Sequence, residues 1–286
     1  MKRFAVPVVL VMLLAGCAGQ AQNGGAPNPD APPMVGPGGE GESAALGLVN
    51  LWRVGGAPGE TPETWLRFDA QEFQLWRDCG MVNGSWRATE TLFLGSVWGA
   101  SGDCAVYGLP VVGWLDFVTG FTPTAAGYDL TAADGSTVAS LAIDGAPEPI
   151  PTAAKFYTEP PKITDEVRSH FAAASPLPAA LPVATPEQLE AKWVPVAYAV
   201  STDPHVTFNA DGTWTGSDGC NGGGGRWALG QDGEFLATSG MSTLIACEGA
   251  PVPSWVAQAS TAAINSDGWL LLFDAAGAEA GRLKAA

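Results

Sequence analysis

The polar residues best suited to chemistry surround a run of four glycines, residues 222–225. Ser217, Asp218 and Asn221 precede this run and Arg226 follows it. Hydroxyl, carboxylate and amide oxygens beside a flexible backbone form a candidate binding turn for a small polar ligand or a cation. The same residues are more typical of a turn whose polar groups satisfy one another. A phosphate-binding loop would need Lys and then Ser or Thr after the glycines, and Arg226 does not fit that pattern.

Catalytic residue types are otherwise scarce. The chain has two histidines, His170 and His205, and neither falls in a recognisable triad motif. No pair of carboxylates stands out among the 29 acidic residues. We therefore expect no catalytic residue, no metal site and no cofactor. The alternative is an envelope hydrolase that uses a carboxylate or Ser217 near the glycine run.

The first twenty residues are typical of an export signal. Lys2 and Arg3 precede an apolar run, residues 5–14, that is too short to span a membrane as a helix. The run ends in Leu-Ala-Gly-Cys, which resembles a bacterial lipobox and implies cleavage before Cys17 and acylation of its thiol. Residues 1–16 are thus predicted to be a lipoprotein signal peptide. An ordinary signal peptide with an incidental Cys is the alternative.

Lipidation at Cys17, with palmitate among the acyl chains, would hold the protein on the extracytoplasmic side of the cell membrane. Residues 17–45 contain the lipidated Cys and a Gly- and Pro-rich stretch, which we interpret as a flexible tether. The anchor is covalent lipid, so no transmembrane helix is required.

The charge balance excludes several classes of partner. The chain carries 13 basic and 29 acidic residues, a net charge of −16. Loss of Lys2 and Arg3 with the signal peptide would make it more negative still. Nucleic acid and anionic lipid headgroups need clustered basic residues, so neither is an expected partner. The membrane is reached through the lipid anchor alone.

Four cysteines remain after Cys17, two in each half of the chain. Cys79 and Cys104 are 25 residues apart, and Cys220 and Cys247 are 27 apart. An even number of cysteines in an exported chain predicts disulfides, here Cys79–Cys104 and Cys220–Cys247. A catalytic thiol or a metal site is the alternative, although no histidine is placed to activate Cys220 and no Cys-x-x-Cys spacing occurs.

Two halves of the chain share landmarks at matched offsets, which indicates a tandem duplication. In each half a Trp lies 27 residues before the first Cys, and another Trp lies 7 residues after it. The landmarks are Trp52, Cys79 and Trp86 in the first half, and Trp193, Cys220 and Trp227 in the second. The domains are placed at residues 46–144 and 186–286, joined by a Pro-rich connector at 145–185.

Alternating apolar and polar residues predict strands in both halves. They include residues 64–68, 72–76, 85–88 and 92–97, and, in the second half, 205–208, 213–216, 226–229, 235–239, 269–273 and 280–284. Residues 222–225 are expected to form a loop, and residues 254–264 a helix. A short helix capped by Thr164 is expected within residues 162–174. The fold class is mainly β with a helix per domain (α+β), as two tandem small antiparallel barrels or curved sheets.

The second half resembles the META (HslJ-like) domain of bacterial envelope lipoproteins. The matching residues, in order, are Trp193, Gly219, Cys220, Asn221, Gly225, Trp227, Ala246 and Cys247, with a helix after Pro253. The first half is a degenerate copy, since Cys79-Gly80-Met81 replaces Gly219-Cys220-Asn221. The resemblance implies a small β-barrel with a packed helix and a link to stress tolerance and envelope integrity. No reaction defines the family.

These observations predict a membrane-anchored envelope lipoprotein that is not an enzyme. It would bind an envelope protein or a cell-wall component, or support the envelope structurally. Most of the 11 tryptophans are expected in the core. Trp65, Trp76, Trp98 and Trp214 are the least certain, and an exposed one could stack on sugars or grip a peptide.

Overall fold

The structure is a computed structural model that describes residues 43–106, 108, 110–148, 155–198, 202–243, 245 and 248–286. Cys17, the signal peptide, nearly all of the tether and Cys247 lie outside the described residues. In the part that is described, no helix is long and apolar enough to cross a membrane.

The first half folds into one antiparallel sheet of eight strands in the order β5-β4-β3-β2-β1-β8-β7-β6. The sheet curls until its two edge strands meet at an antiparallel bridge between Leu92 and Gly120. Its strands are β1 (Leu51–Gly55), β2 (Trp65–Phe68), β3 (Glu72–Arg77), β4 (Gly80–Ala88), β5 (Phe93–Gly102), β6 (Gly120–Pro123), β7 (Gly127–Thr131) and β8 (Thr137–Ala142).

The second half repeats this topology strand for strand, in the order β13-β12-β11-β10-β9-β16-β15-β14. A bridge between Glu234 and Thr261 again joins the two edges. Its strands are β9 (Lys192–Pro195), β10 (His205–Phe208), β11 (Thr213–Ser217), β12 (Gly222–Leu229), β13 (Phe235–Ala237), β14 (Thr261–Ile264), β15 (Leu270–Phe273) and β16 (Glu279–Ala285). The mainly β fold class with two antiparallel sheets is confirmed.

Helices are few and short. The α-helices are α1 (Asp165–His170), α2 (Pro186–Leu189) and α3 (Val252–Gln258), and the 3₁₀ turns are Ala44–Leu48, Asp103–Ala105, Leu115–Phe117, Lys155–Thr158 and Gln231–Gly233. The Thr164 cap is confirmed, because its hydroxyl accepts a hydrogen bond from the Val167 amide. Two other helix predictions differ from the structure.

The helix predicted at residues 254–264 begins and ends earlier, as α3. The chain then turns into strand β14, where the β-branched Thr261 favours extended backbone. In the first half the corresponding position holds only the 3₁₀ turn Leu115–Phe117. Val, Thr and Gly follow that turn, and their low helix propensity prevents it from extending. The second half therefore has its expected packed helix, α3, besides the single turn α2, whereas the described residues of the first half form no α-helix.

Equivalent tryptophans occupy equivalent core positions in the two sheets. The Trp52 and Trp193 indoles each donate a hydrogen bond of 2.8 Å to the carbonyl four residues earlier, that of Leu48 and that of Leu189. The Trp86 indole donates to the Asp69 carbonyl at 2.9 Å, and the Trp227 indole to the Asn209 carbonyl at 3.1 Å. A buried indole needs such a partner for its N–H. The recurrence of both bonds supports the duplication inferred from spacing.

The four uncertain tryptophans divide unequally between core and surface. Trp65, Trp76 and Trp214 are buried, with 3 % exposure or less. Trp98 is 36 % exposed and lies at a bulge, where Val97 pairs with Gly84 and Gly99 pairs with Asn83. A bulge re-aims side chains and marks sites at sheet edges.

Candidate functional site

The turn between β11 and β12 uses its polar side chains on its own backbone. The Asp218 Oδ1 atom accepts hydrogen bonds from the amides of Cys220 at 2.7 Å and Asn221 at 2.6 Å. The Ser217 Oγ atom accepts from the Gly219 amide at 2.9 Å. Ser217, Asp218 and Asn221 are thus brought together as predicted, and their oxygens stabilise the turn.

The same turn fastens a distant segment of the second half. The Asn221 side-chain amide donates to the Ile245 carbonyl at 2.8 Å, and its oxygen accepts from the Ile245 N–H. The Asp218 carbonyl accepts from the Ala250 amide at 2.9 Å. The Asn221 side chain therefore pairs with the Ile245 backbone through the same two kinds of hydrogen bond that a neighbouring strand would make.

Electrostatics at this turn disfavour acid–base chemistry. Hydrogen bonds from Asn221, and from the Cys220 amide, lower the pKa of the Asp218 carboxyl below its ordinary value. A carboxylate held ionised in this way is a weaker base than a free one, whereas a general base works best with a pKa near the working pH. In the described residues no group of three His, Cys, Asp or Glu side chains could hold a metal ion.

The glycine run is a strand and not the predicted loop. Residues 222–225 pair with Ser217, Gly216, Thr215 and Trp214 of β11. A Cβ atom on Gly225 would lie 1.9 Å from the Thr238 carbonyl oxygen, and one on Gly224 would lie 2.8 Å from the Trp214 carbonyl oxygen. Glycine is needed there for close backbone approach. The sequence pattern suggested a turn because it cannot reveal that approach.

Arg226 lies outside the polar turn, contrary to the sequence grouping. Its guanidinium reaches the first half, where Nη1 donates to the carbonyls of Leu115 at 3.0 Å and Val118 at 2.9 Å. Burial lowers the pKa of Arg226 below its ordinary value, and the nearby Asp116 carboxylate offsets part of that shift. Arg226 thus joins the halves, and no bond to Ser217, Asp218 or Asn221 is among those found in the described structure.

Arg87 of β4 makes the converse contact. Its Nη1 atom donates to the carbonyls of Ala257 at 2.5 Å and Ala259 at 3.0 Å, at the end of α3, and more weakly to Ala237 at 3.4 Å. Burial of the guanidinium lowers the pKa of Arg87 to about 10. A cation at the carboxyl end of a helix satisfies carbonyls that have no partner within the helix.

Equivalent residues also touch one another across this boundary. Ser96 and Thr238 each lie three residues after a matched phenylalanine, Phe93 and Phe235, and their hydroxyls are 2.5 Å apart. The Ser85 hydroxyl donates to the Ser239 carbonyl at 2.6 Å. The two sheets lie in one compact unit. Contact between matched residues indicates an approximate two-fold relationship between them.

A cleft of about 430 Å³ opens at this boundary. It is lined by Ser96, Val97, Pro110, Val111, Val112 and Asp116 of the first half, and by Gly224, Gly225, Arg226, Gly240 and Met241 of the second. Val111 is 78 % exposed and Met241 is 67 % exposed. Sequence reasoning missed this cleft, because its walls come from segments that only the folded chain brings together.

The cysteines have separate outcomes. Cys79 and Cys104 form the predicted disulfide, with Cα atoms 4.9 Å apart. Cys220 is disulfide-bonded as well. Its predicted partner Cys247 lies outside the described residues, so that pairing stays a prediction, as does lipidation of Cys17.

The fold and the contacts between its two sheets define a class of protein. It is a disulfide-bonded antiparallel β protein with two sheets of the same topology. Residues 186–285 match the family model described as the META domain. The second half is therefore a META domain, as its Gly219-Cys220-Asn221 turn indicated. The match does not extend to the first half, whose assignment as a degenerate copy rests on its shared topology. Comparisons with curated proteins and with solved structures find no match.

Proposed function

We propose that this protein is a membrane-anchored envelope lipoprotein whose two-sheet body acts by binding and not by catalysis. The lipobox-like Leu-Ala-Gly-Cys and the Gly- and Pro-rich stretch after it support the anchor and the tether. The META domain supports a place in the envelope.

One observation carries the binding proposal. Arg87 and Arg226 join the two halves, and residues of both halves line one exposed, largely apolar cleft. Isolated apolar side chains are normal on protein surfaces, whereas apolar residues gathered in a concave site mark binding. In the polar turn, by contrast, the side chains of Asp218 and Asn221 form hydrogen bonds to the protein backbone.

The anchor is tested by the intact mass of the mature protein, with and without reduction and alkylation. We expect a lipid adduct on Cys17 and alkylation of Cys79, Cys104, Cys220 and Cys247 only after reduction. An unmodified N-terminus that retains residues 1–16 would overturn the anchor. Thiols that react without reduction would reopen Cys220 as a reactive residue.

Binding is tested by crosslinking in intact cells followed by affinity purification of the full chain. We expect one discrete crosslinked partner from the envelope. A Cys17→Ser variant, which would lose the anchor, serves as the control and should lose the crosslinked product. The absence of any discrete product would contradict binding and favour a purely structural role.

A further inference from the structure

Exposed apolar side chains from both halves line the cleft between the two sheets. Val111 lies in the segment that follows Cys104, and Met241 lies in the segment that precedes Cys247. Both side chains are more exposed than buried, and both line the same cleft with Val97 and Pro110. Trp98, the exposed bulge residue, directly follows Val97. Exposed apolar residues in a concave site favour an occupant with apolar side chains.

The charges inside the cleft leave little for a charged ligand to bind. Arg226 donates to the Leu115 and Val118 carbonyls, and Asp116 lies close enough to stabilise its charge. The lining therefore holds one acid and one base. The chain as a whole carries a net charge of −16. That field attracts basic partners and repels a second copy of the same chain.

We infer that this cleft binds a short extended peptide segment of a partner protein, with apolar side chains in the cleft and basic residues flanking them. The inference rests on the proposed binding function and names its site and partner chemistry. A volume of about 430 Å³ falls within the usual range of small binding pockets and suits a few side chains, not a folded domain.

The test uses the full-length protein in neutral detergent micelles and a fluorescent peptide, Lys-Lys-Val-Leu-Val-Leu-Lys-Lys, read by fluorescence anisotropy. The matched peptide carries Glu in place of each Lys. We expect saturable binding of the basic peptide only, weakened by added salt because exposed charges are screened. Tight binding of both peptides, or of neither, would overturn the inference.

Variants locate the binding site. Val111→Glu and Met241→Glu should each weaken binding about tenfold, since each removes apolar contact worth roughly a factor of ten. Val183→Glu, at another exposed Val with 46 % exposure, is the matched control and should change binding less than about twofold. Equal affinity in all three variants would place the peptide elsewhere and overturn the inference. Circular dichroism confirms that each variant is folded.

Two further outcomes separate this inference from the proposed function. If the partner crosslinked in cells is retained by the Val111→Glu and Met241→Glu variants, the cleft is wrong and the binding function stands. If no partner is found in any variant, both fail. Sedimentation that reveals dimers of the wild type, but not of Met241→Glu, would show that a second copy occupies the cleft.

Discussion

Arg87 and Arg226 hold the two sheets together by reciprocal contacts. Each lies next to one of the equivalent tryptophans, Trp86 and Trp227, and each donates to backbone carbonyls of the opposite half. The two closer carbonyls of Arg87 lie at or just after α3, and those of Arg226 lie at or just after the 3₁₀ turn Leu115–Phe117, which are matched places. The halves should therefore unfold as one cooperative unit.

Replacing Arg87 by Met tests this boundary. The change removes a charged donor from three carbonyls, two of them at close distance. We expect a loss of about 2–3 kcal/mol in the free energy of unfolding, because hydrogen bonds to charged groups contribute about that much. Urea denaturation followed by Trp fluorescence measures it. Arg282→Met, at an exposed ion pair with Glu279, should cost less than about 1 kcal/mol.

Arg226→Met should cost less than Arg87→Met, about 1–2 kcal/mol, because two carbonyls and not three lose a donor. If either arginine variant unfolds in two separate transitions, the contact also supplies the cooperativity between the halves. Variants as stable as the wild type would contradict the assigned role.

The glycine strand offers a matched pair of substitutions. Gly225→Ala places a Cβ atom 1.9 Å from the Thr238 carbonyl oxygen, whereas Gly222→Ala meets nothing within 4 Å. We expect Gly225→Ala to cost about 1–3 kcal/mol through overpacking, and Gly222→Ala to be nearly neutral. Thermal unfolding of the two proteins compares them. Equal melting temperatures would contradict the close approach of β12 to residue 238.

Asn221→Ala tests the polar turn as a structural clip. The variant loses both hydrogen bonds to the Ile245 backbone, so amide exchange at Ile245 should accelerate while the core strands stay protected. Hydrogen exchange with mass spectrometry measures both regions. Asn265→Ala, in an exposed turn before Trp269, is the control and should leave exchange at Ile245 unchanged. Unchanged exchange in Asn221→Ala would reopen the turn as a ligand site.

The pKa of Asp218 predicts how this clip responds to acid. The folded-state pKa is lowered below the ordinary 3.8, so its contribution to stability is present above pH 3.8. That contribution is lost as the pH falls through the lower, folded-state value. Exchange at Ile245, corrected for the intrinsic pH dependence, should therefore be unchanged from pH 7 to about pH 5 and rise only in stronger acid. A rise near neutral pH would contradict the assignment.

The Cys79–Cys104 disulfide closes a loop with a sequence separation of 25 residues. Replacing both cysteines by Ser should cost about 3 kcal/mol by the chain-entropy estimate for a loop of that length. Guanidinium denaturation without reductant compares the variant with the wild type. A variant with unchanged stability would show that the 3₁₀ turn Asp103–Ala105 is held by other contacts.

Local patterns in the sequence predicted part of this structure correctly. The alternation around His205–Phe208, the Thr164 cap and the Cys79–Cys104 pairing all depend on neighbouring residues or on an even cysteine count, and the structure confirms them. The strand formed by residues 222–225 was not predicted, because a run of glycines in a sequence is also typical of a turn. The difference arises only in the folded chain, where the backbone at residues 238–240 packs against this run.

The cleft and the arginine contacts beside it could not be predicted, because they are formed by residues that are far apart in the sequence. Arg226 bonds to carbonyls 111 and 108 residues away, and backbone carbonyls carry no signature in the sequence. Val111 and Met241 likewise read as ordinary apolar residues until folding leaves them exposed on one cleft. A contact between the halves could not be predicted from patterns within either half.

The most direct test of the central claim is site-specific photocrosslinking in living cells. A photoreactive amino acid is placed at Val111, at Met241, or at the exposed control position Val183 of the full chain. We expect the same discrete protein adduct from positions 111 and 241, and none from position 183. Adducts that are equal at all three positions, or absent from both cleft positions, would contradict binding through the cleft.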